Sequence, residues 1–190
     1  MIYIRKADFS TDIGSIREVR LAVFVVEQGV PEELEMDNRD PSCVHVLAFD
    51  GEKPVGTGRI DIELGGKVGR VAVVASERGL GIGRGLMQEL HNIAEHSDLE
   101  SVWCHAQVGA VPFYLQLGYV TVGDRFLEDH IEHVRMEKSS VLSAQRTSRR
   151  GSLRDGYAGG SCEIEFLVTC SMCEREVESR RNGSPLEQHV

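Results

Sequence analysis

The sequence predicts an α+β fold, a mixed and mostly antiparallel sheet flanked by helices. Three observations carry this. Strand-like runs outnumber helix-like runs. Several strands follow one another across short turns, which is hairpin connectivity rather than that of a doubly wound parallel sheet. Between them lie two long runs whose apolar spacing changes from two to about 3.6. The chain has 190 residues, 41% hydrophobic and 27% charged, enough for one domain with a real core and a tail.

The elements follow in order. "MIYIRKAD" opens as a strand. "DIGSIREVRLAVFVVEQG" reads as a helix, with Ile16, Val19, Val23 and Val26 on one stripe and Gly29 as its stop. Ser15 and Glu18 have capping-box spacing, and Thr11 or Asp12 offers an earlier start. "GVPEELEMDNRDPS" reads as a polar acidic loop with room for one helical turn. "CVHVLAFDGEKPVGTGRIDIEL" reads as two strands turned at Asp50-Gly51. "GGKVGRVAVVA" is a further strand. A helix from Gly83 to about His96 carries Ile82, Leu86, Leu90 and Ile93 on its apolar side. "ESVWCHAQ" is a strand, "GAVPFYLQLG" a short helix ending at Gly118, and "YVTVGDRF" and "IEHVRMEK" are closing strands.

Residues 1–138 hold 14 basic and 23 acidic residues, the whole of the net charge of −9, while residues 139–190 are balanced at seven each. That balance argues against a nucleic-acid partner, which calls for a basic face, and suits a cationic substrate or mere solubility. No apolar run reaches the roughly 18 residues of a membrane span. Charges interrupt the N-terminal apolar stretch, which is unlike a signal peptide. Five cysteines, an odd number in a chain too large to need staples, fit a reducing cytoplasm. "EKSSVLSAQRTSRRGSLRDGYAGGS" has the composition of a linker, so the domain is expected to end near Lys138 and residues 139–190 to form an extension. Within it, Cys170 and Cys173 have zinc-ligand spacing, with Cys162 and His189 elsewhere in the extension. A lone C-x-x-C is a weak signal, and no metal site is read.

The chemistry concentrates in "VAVVASERGLGIGRGLM", where Gly79, Gly81, Gly83 and Gly85 stand between a strand and a helix. Glycine there permits a sharp turn and a close approach to a ligand. Amides at a helix N-terminus, with the helix dipole, attract an anion. A Walker A loop needs Gly-Lys-Ser/Thr, which is absent. The G-x-G-x-x-G fingerprint fails too, because its sixth position is Arg84 counted from Gly79 and Leu86 counted from Gly81. The pattern present is R-x-x-G-x-G, from Arg78 to Gly83.

With "HAQVGAVPFYLQLGY" about 25 residues later, this stretch resembles the GNAT superfamily of acyl-CoA-dependent N-acyltransferases. "LAVFVVEQGVPEELEMDNRDPSCVHVLAFDGEKPVGTGRI" and "FLEDHIEHVRMEK" resemble its ElaA-like branch, so the likeness covers about residues 1–138. The resemblance implies a GNAT-like sheet, acetyl-CoA as acyl donor, and a small-molecule or peptide amine as acceptor. It implies that amides around Gly79, Gly81, Gly83 and Arg84 hold the CoA pyrophosphate, with Arg78 shaping or pairing with it. Val71 and Val73 would lie along the pantetheine arm, the Val73 amide polarising the thioester carbonyl. Gln107 would touch the same arm. Tyr114 would be the general acid for the departing thiolate, a duty suited to a phenol of reference pKa near 10. No nucleic acid or membrane enters this reading, and homodimerisation is left open.

The amine must also lose a proton before or as it attacks. Many relatives place a Glu on the central strand for this, but here that stretch is "KVGRVAVV", with Gly69 and Arg70 and no carboxylate. The remaining candidates are Glu27, His45, Asp61, Glu63 and Glu128. Glu27 ranks first as an acid among valines and phenylalanine; its bland alternative is to cap the helix or pair with a neighbour. His45 and His105 lie in apolar strands and read as core histidines. Cys104, Leu86 and Met87 read as core filling. The missing strand carboxylate leaves a second function open, an acyl-CoA-binding sensor without turnover.

Overall fold

A computed structural model describes residues 1–128 and 130–139. The readings placed on Cys162, Cys170, Cys173, His189 and the rest of the extension lie outside the described residues. Seven strands form one sheet: β1 (Ile2–Ala7), β2 (Val44–Asp50), β3 (Lys53–Asp61), β4 (Lys67–Val73), β5 (Ser101–Gln107), β6 (Val120–Glu128) and β7 (Ile131–Ser139). Their spatial order is β1-β2-β3-β4-β5-β7-β6. Neighbours are antiparallel except β4 and β5, which run parallel. The mixed, mostly antiparallel sheet flanked by helices is thus what the strand-rich, hairpin-connected sequence predicts.

Helices cover both faces. On one, α3 (Ile82–His96) buries Ile82, Leu86, Met87, Leu90 and Ala94 in a core shared with Val46, Val55, Ile60, Val68, Val71 and Val73. Close approach is possible because β3 carries Gly56 and Gly58. A Cβ there would come within 3.0 Å of Leu86 Cδ1 and 3.1 Å of Leu90 Cδ1 respectively. The short helix α4 (Val111–Gln116) continues this layer, with Tyr114 wholly buried.

On the other face lies α1 (Phe9–Arg20). Its N-cap is Asp8, earlier than the capping-box spacing of Ser15 and Glu18 suggested. The Asp8 carboxylate accepts from the Ser10 amide at 2.8 Å, the bond that a helix start requires. The helix continues as a π-helical segment, Leu21–Glu27, and ends where Gly29 takes φ +73° and the Val30 amide reaches back to Phe24 O at 2.9 Å. That wider turn breaks the expected stripe. Ile16, Val19 and Val23 are buried, but Val26 is 81% exposed and Phe24 turns inward instead. The acidic stretch forms the single turn α2 (Glu32–Glu35). It is not a solvated loop, however, since Glu35 and Asp40 are fully buried.

Candidate active site

The sheet opens at its centre. Among the described residues, β4 and β5 are in register at one position, Lys67 opposite Trp103. Beyond it no further β4–β5 register pair is present among the described residues. Just past the end of β4 the Val74 amide donates to Val55 O on β3 at 3.0 Å. This makes Gly56 and Val73 a non-hydrogen-bonded pair, so the Val73 N–H and C=O point away from β3 and into the opening. Three steps along β4, from Ala72 to Gly69, match two along β3. The extra residue is a bulge, and Arg70 within it has φ +53°, an uncommon conformation for a side-chain-bearing residue. Val71 beside it is wholly buried.

The glycine loop lies at the end of this strand. Gly79 and Gly81 take φ of +77° and +78°, where glycine carries no steric penalty. Gly81 is the N-cap of α3, and no side chain caps it. Gly85 donates to Gly81 O at 3.0 Å. The amides of Ile82, Gly83 and Arg84 precede it, in the first turn where a helix offers no internal acceptor. A Cβ on Gly81 would meet nothing within 4 Å, so the space before the helix is open. Three first-turn amides, the positive end of a 15-residue helix and the exposed Arg84 fit a pyrophosphate. Arg78 is occupied otherwise. Its Nε donates to Val73 O at 3.0 Å, and its two terminal nitrogens grip the Glu27 carboxylate at 3.0 and 2.7 Å.

On β5, Val102, Cys104 and Ala106 point into the α3 core, while Trp103, His105 and Gln107 point to the α1 side. Gln107 ends the strand, half-buried, opposite His133 of β7. Tyr114 stands edge-on to Phe113 and Tyr119, with ring centroids 5.3 and 5.4 Å away. His45 is a core histidine as read, its Nε2–H donating to Asp40 O at 2.8 Å. His105 is not. Its side chain is 23% exposed and faces Glu128, Nδ1 to Oε2 at 3.2 Å. The apolar composition of its strand hid this, because alternate residues of β5 face opposite sides of the sheet.

A buried charge cluster lies on the same side. The Arg20 guanidinium binds Asp40 at 2.8 Å and also the side chain and carbonyl of Glu35. Arg59 joins Asp37 at 2.7 Å and Asp40 at 2.5 Å. Arg70 reaches Asp37 at 3.1 Å and the Glu35 carbonyl at 3.2 and 3.1 Å. Burial drives Glu35 above the ordinary carboxylate range, outweighing Arg20 and Arg70. Asp40 is also buried, but its bond to Arg20 and the charges of Arg20 and Arg59 hold it far below that range. Such a cluster ties α1, α2 and the β4 bulge together, and losing one partner would strand a buried charge. One sequence signal pointed to it, since Arg20 falls four residues after Ile16 and three before Val23, on the apolar stripe. Of the other carboxylates considered as base, Asp61 and Glu63 are both bound by Arg39, at 2.8 and 2.9 Å.

The profile of the Acetyltransferase (GNAT) domain matches residues 12–140. The chain is 40% identical over 122 residues to the uncharacterised N-acetyltransferase YjcF of Bacillus subtilis, covering 63% of this chain and 87% of that protein. It is 31% identical over 137 residues to ElaA of Escherichia coli, covering 69% and 90%. The crystal structure of ElaA superposes with a TM-score of 0.65, over 73% of this chain and all of that one, at 29% identity. An acyl-CoA N-acyltransferase from Pseudomonas aeruginosa superposes with a TM-score of 0.66 over the same shares, at 25% identity.

Proposed function

This chain belongs to the GNAT acetyltransferase family, and from that premise we propose that it moves an acetyl group from acetyl-CoA to a primary amine by direct attack. The observation that carries the reading is the opening between β4 and β5, which leads to the uncapped start of α3. A chain that needed only a stable sheet would pair those strands throughout. Here the central strand turns the Val73 N–H into the gap, where it can donate to an acyl carbonyl as negative charge develops on oxygen. The amides around Gly79, Gly81, Gly83 and Arg84 hold the pyrophosphate. Val71 and Val73 flank the pantetheine arm and Gln107 touches it from β5. Arg78 shapes the loop through Glu27 and Val73 rather than by offering its charge to phosphate. Tyr114 protonates the departing sulfur. The acceptor is an amine of a small molecule or peptide, the setting is the cytoplasm, and residues 139–190 are an extension of the acyltransferase domain.

The test is release of free thiol from acetyl-CoA across a panel of primary amines, beside a calorimetric CoA titration of the same protein. Binding with turnover is expected. A second reading, an acyl-CoA sensor, is favoured by the absence of a carboxylate at Gly69 and Arg70. Tight binding with no thiol release on any amine would select it.

A further inference from the structure

On the basis of the acyl-transfer reading, we propose that His105 is the general base that accepts the amine's proton, with Glu128 as its positioning residue. Two residues beyond the joined pair Lys67 and Trp103 stand Gly69 on β4 and His105 on β5. They flank the point where the cleft begins to open. Gly69 contributes no side chain there, and a Cβ on it would meet only Arg59 Nε, 4.0 Å away. His105 therefore supplies an acid–base side chain from the opposite wall, at the level where β4 has none.

Its surroundings fix its orientation. The Glu128 carboxylate only accepts hydrogen bonds, so in the neutral imidazole the facing Nδ1 carries the hydrogen and Nε2 is the basic nitrogen. The ring is held between Trp103, with centroids 5.3 Å apart, and the edge-on Phe126 at 4.8 Å. Arg135 lies opposite on β7, but its guanidinium is taken up by Glu137 at 2.7 Å and stacks over Trp103, 4.0 Å from the ring centroid. The other carboxylates that are candidates for the base are committed. Both Glu27 oxygens bind Arg78, and Asp61 and Glu63 bind Arg39.

The step balances simply. The amine lone pair forms the C–N bond at the thioester carbonyl, and the C–S bond breaks with its electron pair leaving on sulfur. One N–H proton passes to His105 Nε2, and sulfur receives a proton from Tyr114. Exchange with solvent restores both side chains.

The experiment uses the full chain, acetyl-CoA and primary amines graded from strongly basic butylamine to weakly basic trifluoroethylamine. His105→Gln should lower kcat with butylamine by about 10²-fold, within the range for losing an acid–base group. CoA affinity and melting temperature should stay at wild type. With trifluoroethylamine, already neutral near pH 7, the loss should shrink to a few-fold. Glu128→Gln should show the same graded pattern at about a tenfold smaller loss, and carries the test alone if His105→Gln is unstable. Wild-type kcat in these variants, or a loss equal across the amine series, would overturn the proposal. Wild-type protein that binds CoA yet releases no thiol with any amine overturns the acyl-transfer reading itself, and this proposal with it.

Discussion

Glu27 and Arg78, 51 residues apart, form a two-pronged ion pair, and the same guanidinium donates its Nε to the carbonyl of Val73. One side chain thus joins the end of the first helix, the entry of the glycine loop and the strand that borders the cleft. The pair is partly exposed, at 31% of the Glu27 side chain and 19% of the Arg78 side chain, so its Coulomb energy is modest. Its geometric effect is larger, because it sets where the loop begins. Glu27→Gln should weaken CoA binding two- to fivefold, about the worth of such a pair, and leave kcat within a few-fold. In an Arg78→Ala background the Glu27 substitution should have no further effect on affinity. A 10²-fold fall in kcat with unchanged CoA affinity would instead make Glu27 the base.

Gly81→Val should abolish CoA binding while the protein stays folded. The open space before α3 is where a β-branched side chain would project. Its φ of +78° also makes any L side chain unfavourable, by roughly 1–2 kcal/mol. That strain falls on a loop, outside the core that α3 forms with β3 and β4. Calorimetric titration and a thermal melt read the two effects separately. Wild-type affinity in a folded variant would remove the loop from the site.

The elements were legible because each obeys a local rule. Asp50-Gly51 turns the hairpin, Gly29 and Gly118 end helices at positive φ, and Ile82, Leu86 and Leu90 recur at helical spacing. The glycine loop was legible for the same reason. What could not be read is set by partners distant in sequence. Arg20 and Glu35 are 15 residues apart, and Arg70 and Glu35 are 35 apart. Charged residues in a loop read as solvated until the arginines that bury them are known. The opening between β4 and β5 leaves no local mark, because both strands have ordinary strand composition. His105 and Glu128 are joined only once β7 has placed β6 near β5.

Stability should fall as pH drops from about 6.5 to 4, through His91. The Lys138 Nζ donates to its Nδ1 at 3.3 Å, and its Nε2–H donates to the Tyr119 hydroxyl at 2.9 Å. Burial first, and then the charge of Lys138, hold this imidazole down to about 4. In the unfolded chain it titrates near 6.5. Between those values the unfolded state binds a proton that the folded state refuses, so stability is complete above the window and lost on descending through it. His91→Gln should flatten the melting temperature over that interval. Parallel curves for the two proteins would show that another group governs the slope.

Tyr114→Phe separates packing from proton transfer. The ring is completely buried and meets Phe113 and Tyr119 edge-on, contacts that phenylalanine preserves. Melting temperature should therefore move little. CoA and acetyl-CoA should bind as before, since on the proposed reading the hydroxyl acts only as the C–S bond breaks. Turnover should fall by about 10² to 10⁴, the cost of losing a general acid. The fall should appear in kcat rather than KM, as expected for an interaction made chiefly in the transition state. Acyl donors with a more acidic thiol should lose less, because their sulfur can depart as the thiolate. The Tyr114 loss and the His105 loss should respond to different substrates, the first to the leaving thiol and the second to the attacking amine. If Tyr114→Phe keeps full kcat when chemistry limits the rate, the phenol is a packing group and the sulfur takes its proton from elsewhere.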